Sequence, residues 1–103
     1  MEPRIHEIPP EKVRGIFEEL ERYGMVNIEV ENLASLFDDM LDSTEERLRY
    51  AREKLEEGNV DKAVLVVKDG RGILVVKIEN VVEIRAELED YGRLMRDWNI
   101  GER

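Results

Sequence analysis

Apolar residues Val13, Ile16, Phe17, Leu20 and Tyr23 recur at helical spacing up to Gly24, and Pro10 suits the first turn ahead of them. This pattern predicts a first helix that follows an irregular leader, residues 1–9. Val26, Ile28 and Val30 then alternate with Asn27, Glu29 and Glu31, the period of a short strand. Leu33, Phe37, Leu41, Leu48, Ala51 and Leu55 return to helical spacing as one stripe, interrupted at Thr44. Asn32 is a candidate N-cap for this stripe, and Ser43 with Glu46 fits a capping box. Residues 31–57 therefore form either one long helix or two with a bend near Asp42 and Ser43, ending at Gly58 and Asn59.

The pattern then changes. Ala63-Val64-Leu65-Val66-Val67 and Ile73-Leu74-Val75-Val76-Lys77-Ile78 are rich in β-branched residues and flank Asp69-Gly70-Arg71-Gly72, which predicts a β-hairpin over 60–78. Asp-Gly suits a type I′ turn, whose two central residues both need positive φ. Beyond it, Asn80 and Glu83 fit another capping box. Val81, Ile84, Leu88, Tyr91, Met95 and Trp98 make a heptad-like seam, so a helix is predicted over 80–98, and such a seam requires a helix partner. Together these elements predict an α+β fold in a single domain, 1–103. Amphipathic helices pack on a small antiparallel sheet centred on the hairpin, in the order α-(β)-α-β-β-α.

Of the 103 residues, 42% are apolar and 40% charged, a balance suited to a folded chain in water and unlike a disordered tail. The longest apolar runs are far shorter than the ~20 residues of a membrane-spanning helix, and no basic-then-apolar signal pattern opens the sequence. The expectation is a cytoplasmic protein. Cysteine is absent, which removes disulfides, thiolate metal sites and cysteine nucleophiles. Glutamine is absent too, and helical i, i+4 pairs such as Arg49-Glu53 and Arg52-Glu56 point to a heat-adapted composition.

Net charge is −9, distributed as −8 over residues 1–59, +2 over 60–78 and −3 over 79–103. An acidic chain whose only basic segment is a hairpin is a poor ligand for nucleic acid, so the expected partner is a protein, neutral or basic, or a second copy. No cofactor is implied.

Candidate chemistry is sparse. The single histidine, His6, lies in the leader and is expected to be solvated; one imidazole is not a metal site. Asp38, Asp42, Glu45 and Glu46 fall on one side of a helix, and such oxygen ligands suit Mg²⁺ or Mn²⁺. They are the basis of the alternative reading, a metal-dependent hydrolase or nucleotide-binding protein in which bound ions activate water against a phosphate. No second acidic cluster with a basic phosphate clamp accompanies them. Ser43 and Thr44 have capping and seam roles, Asp69-Gly70-Arg71-Gly72 reads as a turn, and Trp98 closes a packing seam.

The strongest signal is the hairpin itself. Side chains alternate across its strands, so one face carries Ala63, Leu65, Val67, Leu74, Val76 and Ile78 and should meet the core. The other has Val64, Val66, Ile73 and Val75 at its centre and Lys62, Lys68, Arg71 and Lys77 around them. Branched aliphatics in the middle of a face call for a cover. Two covers fit: the acidic first helix, with Glu18 or Glu21 meeting the lysines, or an interface with a second copy or partner. The favoured reading is a small non-enzymatic interaction or assembly module that self-associates through this face.

Overall fold

The computed structural model describes residues 3–34 and 41–101. It is an α+β fold: a five-stranded antiparallel sheet of order β1-β3-β4-β5-β2, with its helices on one side. The strands are β1 (Arg4–Glu7), β2 (Met25–Asn32), β3 (Val60–Lys68), β4 (Arg71–Ile78) and β5 (Val82–Leu88); the helices are α1 (Pro10–Glu18), α2 (Thr44–Glu57) and α3 (Tyr91–Trp98). A short 3₁₀ turn, Leu20–Tyr23, follows α1 and ends at Gly24 in the left-handed region.

The predicted hairpin forms as β3 and β4. Lys68 pairs with Arg71, which leaves Asp69 and Gly70 as a two-residue turn, and their φ values of 53° and 76° are those of type I′. This turn sets the register Ala63 to Val76, Leu65 to Leu74 and Val67 to Gly72, and all of these residues are buried. The expected strand near Val26–Val30 is also present, longer than predicted. It lies at the sheet edge beside β5, not against the hairpin.

Three expectations are corrected. The leader 1–9 is not irregular: residues 4–7 form β1, paired with β3 from Arg4 opposite Val67 to Glu7 opposite Val64, and the amide of Ile8 continues the pairing to the Ala63 carbonyl. Four residues with a single branched aliphatic are too short and too polar to show a period, so tertiary pairing makes this strand. The helix predicted over 80–98 is instead β5 followed by α3. Val82, Ile84, Ala86 and Leu88 alternate with Glu83, Arg85 and Glu87, and every one of the first set is buried. Ile84 and Leu88 are four apart, a spacing that both periods share, which is why the seam looked helical. Glu79 and Asn80 are a turn with φ of 50° and 56°, and the helix cap is Asp90, whose side chain accepts from the Arg93 amide. Finally, Leu33, expected to open the helical stripe, lies in a turn and is exposed; Asn32 before it ends β2, its Oδ1 accepting from the Ala34 amide, and residues 35–40, where a helix capped there would run, lie outside the described residues. The second half of that stripe does become α2, with Ser43 as N-cap accepting from the Glu46 amide. Phe37 lies outside the described residues. The resulting order is β-α-β-α-β-β-β-α.

The core lies between the helices and one face of the sheet. Val13, Ile16 and Phe17 of α1, Leu48, Ala51 and Leu55 of α2, and Leu94 of α3 meet the inward residues of β3, β4 and β5. Gly15 lets α3 come close: a Cβ there would sit 2.5 Å from the Trp98 ring. Two arginines tie α1 to α2. Arg52 of α2 donates from Nε (3.1 Å) and Nη2 (2.8 Å) to the Phe17 carbonyl near the end of α1, while Arg14 of α1 donates to the carbonyls of Leu55 (2.7 Å) and Gly58 (3.3 Å) at the end of α2. Each helix thus supplies a cation to the negative end of the other. Arg47 treats the outer edge of β2 in the same way, donating to the Ile28 carbonyl at 2.8 Å and to the Leu41 carbonyl at 3.0 Å.

Under α3, the Tyr23 hydroxyl accepts from the Trp98 indole N–H at 3.1 Å and donates to Asp97 at 2.9 Å. Burial is the main cause that raises the Tyr23 phenol above its usual value near 10.0, and the Asp97 carboxylate adds to it.

Replacing Arg52 with alanine should cost about 1–2 kcal/mol in urea unfolding, with only part of that recovered by Arg52→Lys, because an ammonium lacks the guanidinium fork. Tyr23 adds an alkaline signature. Its phenol is held neutral in the fold and ionises sooner in the unfolded chain, so its contribution is complete below about pH 10 and is lost as pH rises through the higher folded value. Thermal midpoints of wild type should therefore fall more steeply above pH 10 than those of Tyr23→Phe, whereas at neutral pH the variant is the less stable by about 1 kcal/mol.

Candidate interaction surface

The alternation that buries one set of hairpin residues exposes the other. Val64, Val66, Ile73 and Val75 project from the side of the sheet opposite α1, α2 and α3, and each is half-buried. Val64 stands opposite Val75 and Val66 opposite Ile73, so the four form a contiguous square. The cover expected from α1 is not there. That helix packs on the inward face, and Glu18 is remote from the lysines because its whole element sits on the other side of the sheet.

The correction at the N-terminus enlarges the surface. Ile5 of β1 is opposite Val66 and 63% exposed, and Glu7 is opposite Val64. On the other side of the square, β5 presents Glu87, Arg85 and Glu83 in register with Ile73, Val75 and Lys77. Beyond it β2 presents Asn27, Glu29 and Glu31. None of these flanking residues was part of the predicted surface. For Glu83, Arg85 and Glu87 the signal is the strict alternation of β5, which a heptad count masks.

Lys62, Lys68, Arg71 and Lys77 occupy the ends of β3 and β4 as expected, all exposed. Two of them are already neutralised. Arg71 bridges to Glu87 at 3.0 Å and Lys77 to Glu83 at 4.0 Å, with Glu83 also taking Arg85 at 2.6 Å. Lys62 and Lys68 have no ion pair among the described residues. The outward cations are thus Lys62, Lys68, Arg71, Lys77 and Arg85. Against them stand the outward anions Glu7, Glu29, Glu31, Glu83 and Glu87. Five charges of each sign leave this face neutral on a chain whose net charge is −9.

The metal reading gains no support from the geometry. Asp42, Glu45 and Glu46 sit around the N-terminus of α2, where carboxylates favourably face the positive end of the helix. Among the described residues no three His, Asp or Glu are grouped as a metal ion would require, and Asp38 lies outside those residues. His6, expected in solvent, faces the helix side opposite Leu65. Its Nε2 is shielded from water and has no hydrogen-bond partner among the described residues. Among the described residues, no helix is long and apolar enough to cross a membrane.

The two faces respond differently to charge. Val76→Asp places a carboxylate in the core and should abolish the native circular dichroism spectrum; Val66→Asp places it on the open side and should retain that spectrum. No family model, curated protein or solved structure matches the chain, so no relative's activity bears on this surface.

Proposed function

We propose that the protein is a non-enzymatic assembly module whose outer sheet face docks on the same face of a second copy. The observation that carries the reading is an apolar centre, Val64, Val66, Ile73, Val75 and Ile5, on the side of the sheet opposite α1, α2 and α3. Charge supports a second copy over an unrelated partner. Two molecules of net charge −9 repel through most of their surfaces, but this face is neutral and can meet itself without that penalty.

Size is adequate. Strands spaced about 4.8 Å apart, with outward residues about 6.8 Å apart along each, make a face roughly 24 Å square, on the order of 550 Å² in projection. Its corrugated accessible surface is larger, approaching the roughly 800 Å² per partner of a standard interface. Apolar side chains at the centre with charges around them follow the usual anatomy of such contacts. Two sheets stacked in this way bury both open faces and form a sandwich with helices outside.

Light scattering of the wild-type chain should give about twice the 12.1 kDa chain mass, and the double variant Val66→Asp with Val75→Asp should give the single-chain mass while keeping its native spectrum. A wild type that stays at the single-chain mass at every concentration and salt level would overturn the proposal.

A further inference from the structure

We infer that ionic strength regulates the self-association: added salt draws the copies together, because the charge that opposes docking lies away from the face that docks. This rests on the proposed self-association and names its regulation. Five outward cations of β3, β4 and β5 cancel five outward glutamates of β1, β2 and β5. The chain as a whole carries −9, so its entire acidic excess belongs to residues outside that set. Exposed carboxylates of the helix layer are part of it, among them Glu18 of α1 and Glu53 of α2.

Two forces of different reach result. Apolar contact among Val64, Val66, Ile73 and Val75 acts only once the faces touch, and moderate salt changes it little. Repulsion between two acidic bodies acts over the Debye length, about 30 Å at 10 mM ionic strength and about 8 Å at 150 mM. The Cα radius of gyration is 13.1 Å, so at the lower salt each copy feels the whole charge of the other before the faces meet. Stacked sheets lie about 10 Å apart with a helix layer behind each, which puts the two helix layers more than a Debye length apart at 150 mM.

A contact held by ion pairs would respond in the opposite sense and loosen as salt rises. Arg71–Glu87 and Lys77–Glu83 close within one chain and leave the second copy little to attract. Net charge has no orientation, so the long-range repulsion is the same however one face is turned on the other. It slows encounter, whereas the short-range contact sets dissociation, and salt should therefore act chiefly on the association rate.

Sedimentation equilibrium of the wild-type chain should give a dimer dissociation constant at least roughly tenfold lower in 150 mM than in 10 mM sodium chloride. The double variant Glu18→Lys with Glu53→Lys separates remote charge from contact charge. Each reversal adds two positive charges, which takes −9 to −5 at exposed helical positions on the side away from the docking face. Repulsion scales with the product of the two charges and so falls about threefold. The variant should keep the wild-type circular dichroism spectrum, dimerise more tightly than wild type at 10 mM salt, and show about a third of its logarithmic salt response. A wild-type dissociation constant that stays level or rises with salt overturns the inference and leaves self-association standing. A salt response that the remote reversals leave unchanged also overturns it, because the opposing charge would then lie within the contact. A wild type of single-chain mass at every salt level removes the parent reading instead.

Discussion

Everything in this molecule follows from the register of β3 against β4, which the Asp69–Gly70 turn sets. The strands carry branched aliphatics on both sides, so the hydrophobic pattern alone gives little preference for which side enters the core. A one-residue slip would exchange Leu65, Leu74 and Val76 for Val64, Ile73 and Val75, residues of similar volume. What breaks the tie is the pair of left-handed residues at the turn, together with the charged ends of the strands. Lys62, Lys68, Arg71 and Lys77 share a side with the second set, and a core cannot accept four ammonium and guanidinium groups. The helices therefore pack on the first set.

One-sided layering gives the rest of the structure its character. All three named helices lie on one side of the sheet, and they are tied to one another at their ends by Arg14 and Arg52 and through the Trp98–Tyr23–Asp97 chain of hydrogen bonds. On the opposite side the described residues form cross-strand pairs. Such exposed ion pairs add little stability, at most about 1 kcal/mol each.

The hairpin, its turn and both of its faces were legible in the sequence because β-branched runs bracketing Asp-Gly have few other interpretations. α1 and the Ser43 cap of α2 were legible for similar local reasons. β5 was not, because Val81, Ile84, Leu88 and Tyr91 satisfy a helical count as well as Val82, Ile84, Ala86 and Leu88 satisfy a strand count, and only pairing with β4 decides between them. β1 had no local signal at all. Its four residues are a strand because β3 offers an unpaired edge, a fact about residues sixty positions away. The candidate surface was therefore half visible: its apolar square and basic ends are present in the hairpin, while Ile5, Glu7 and the acidic β5 and β2 flank depend on strand pairing.

The strand order also dictates a sequence of events in folding. β3, β4 and β5 are a meander joined by a two-residue and a three-residue turn and can zip together through local contacts, which are the fast ones. β1 and β2 precede that meander in the chain but lie at its two outer edges, each next to a strand encoded later. Neither has a partner until the meander exists. On a ribosome the N-terminal half would therefore emerge with two strands and no template, and the sheet would be completed only after most of the chain has been made.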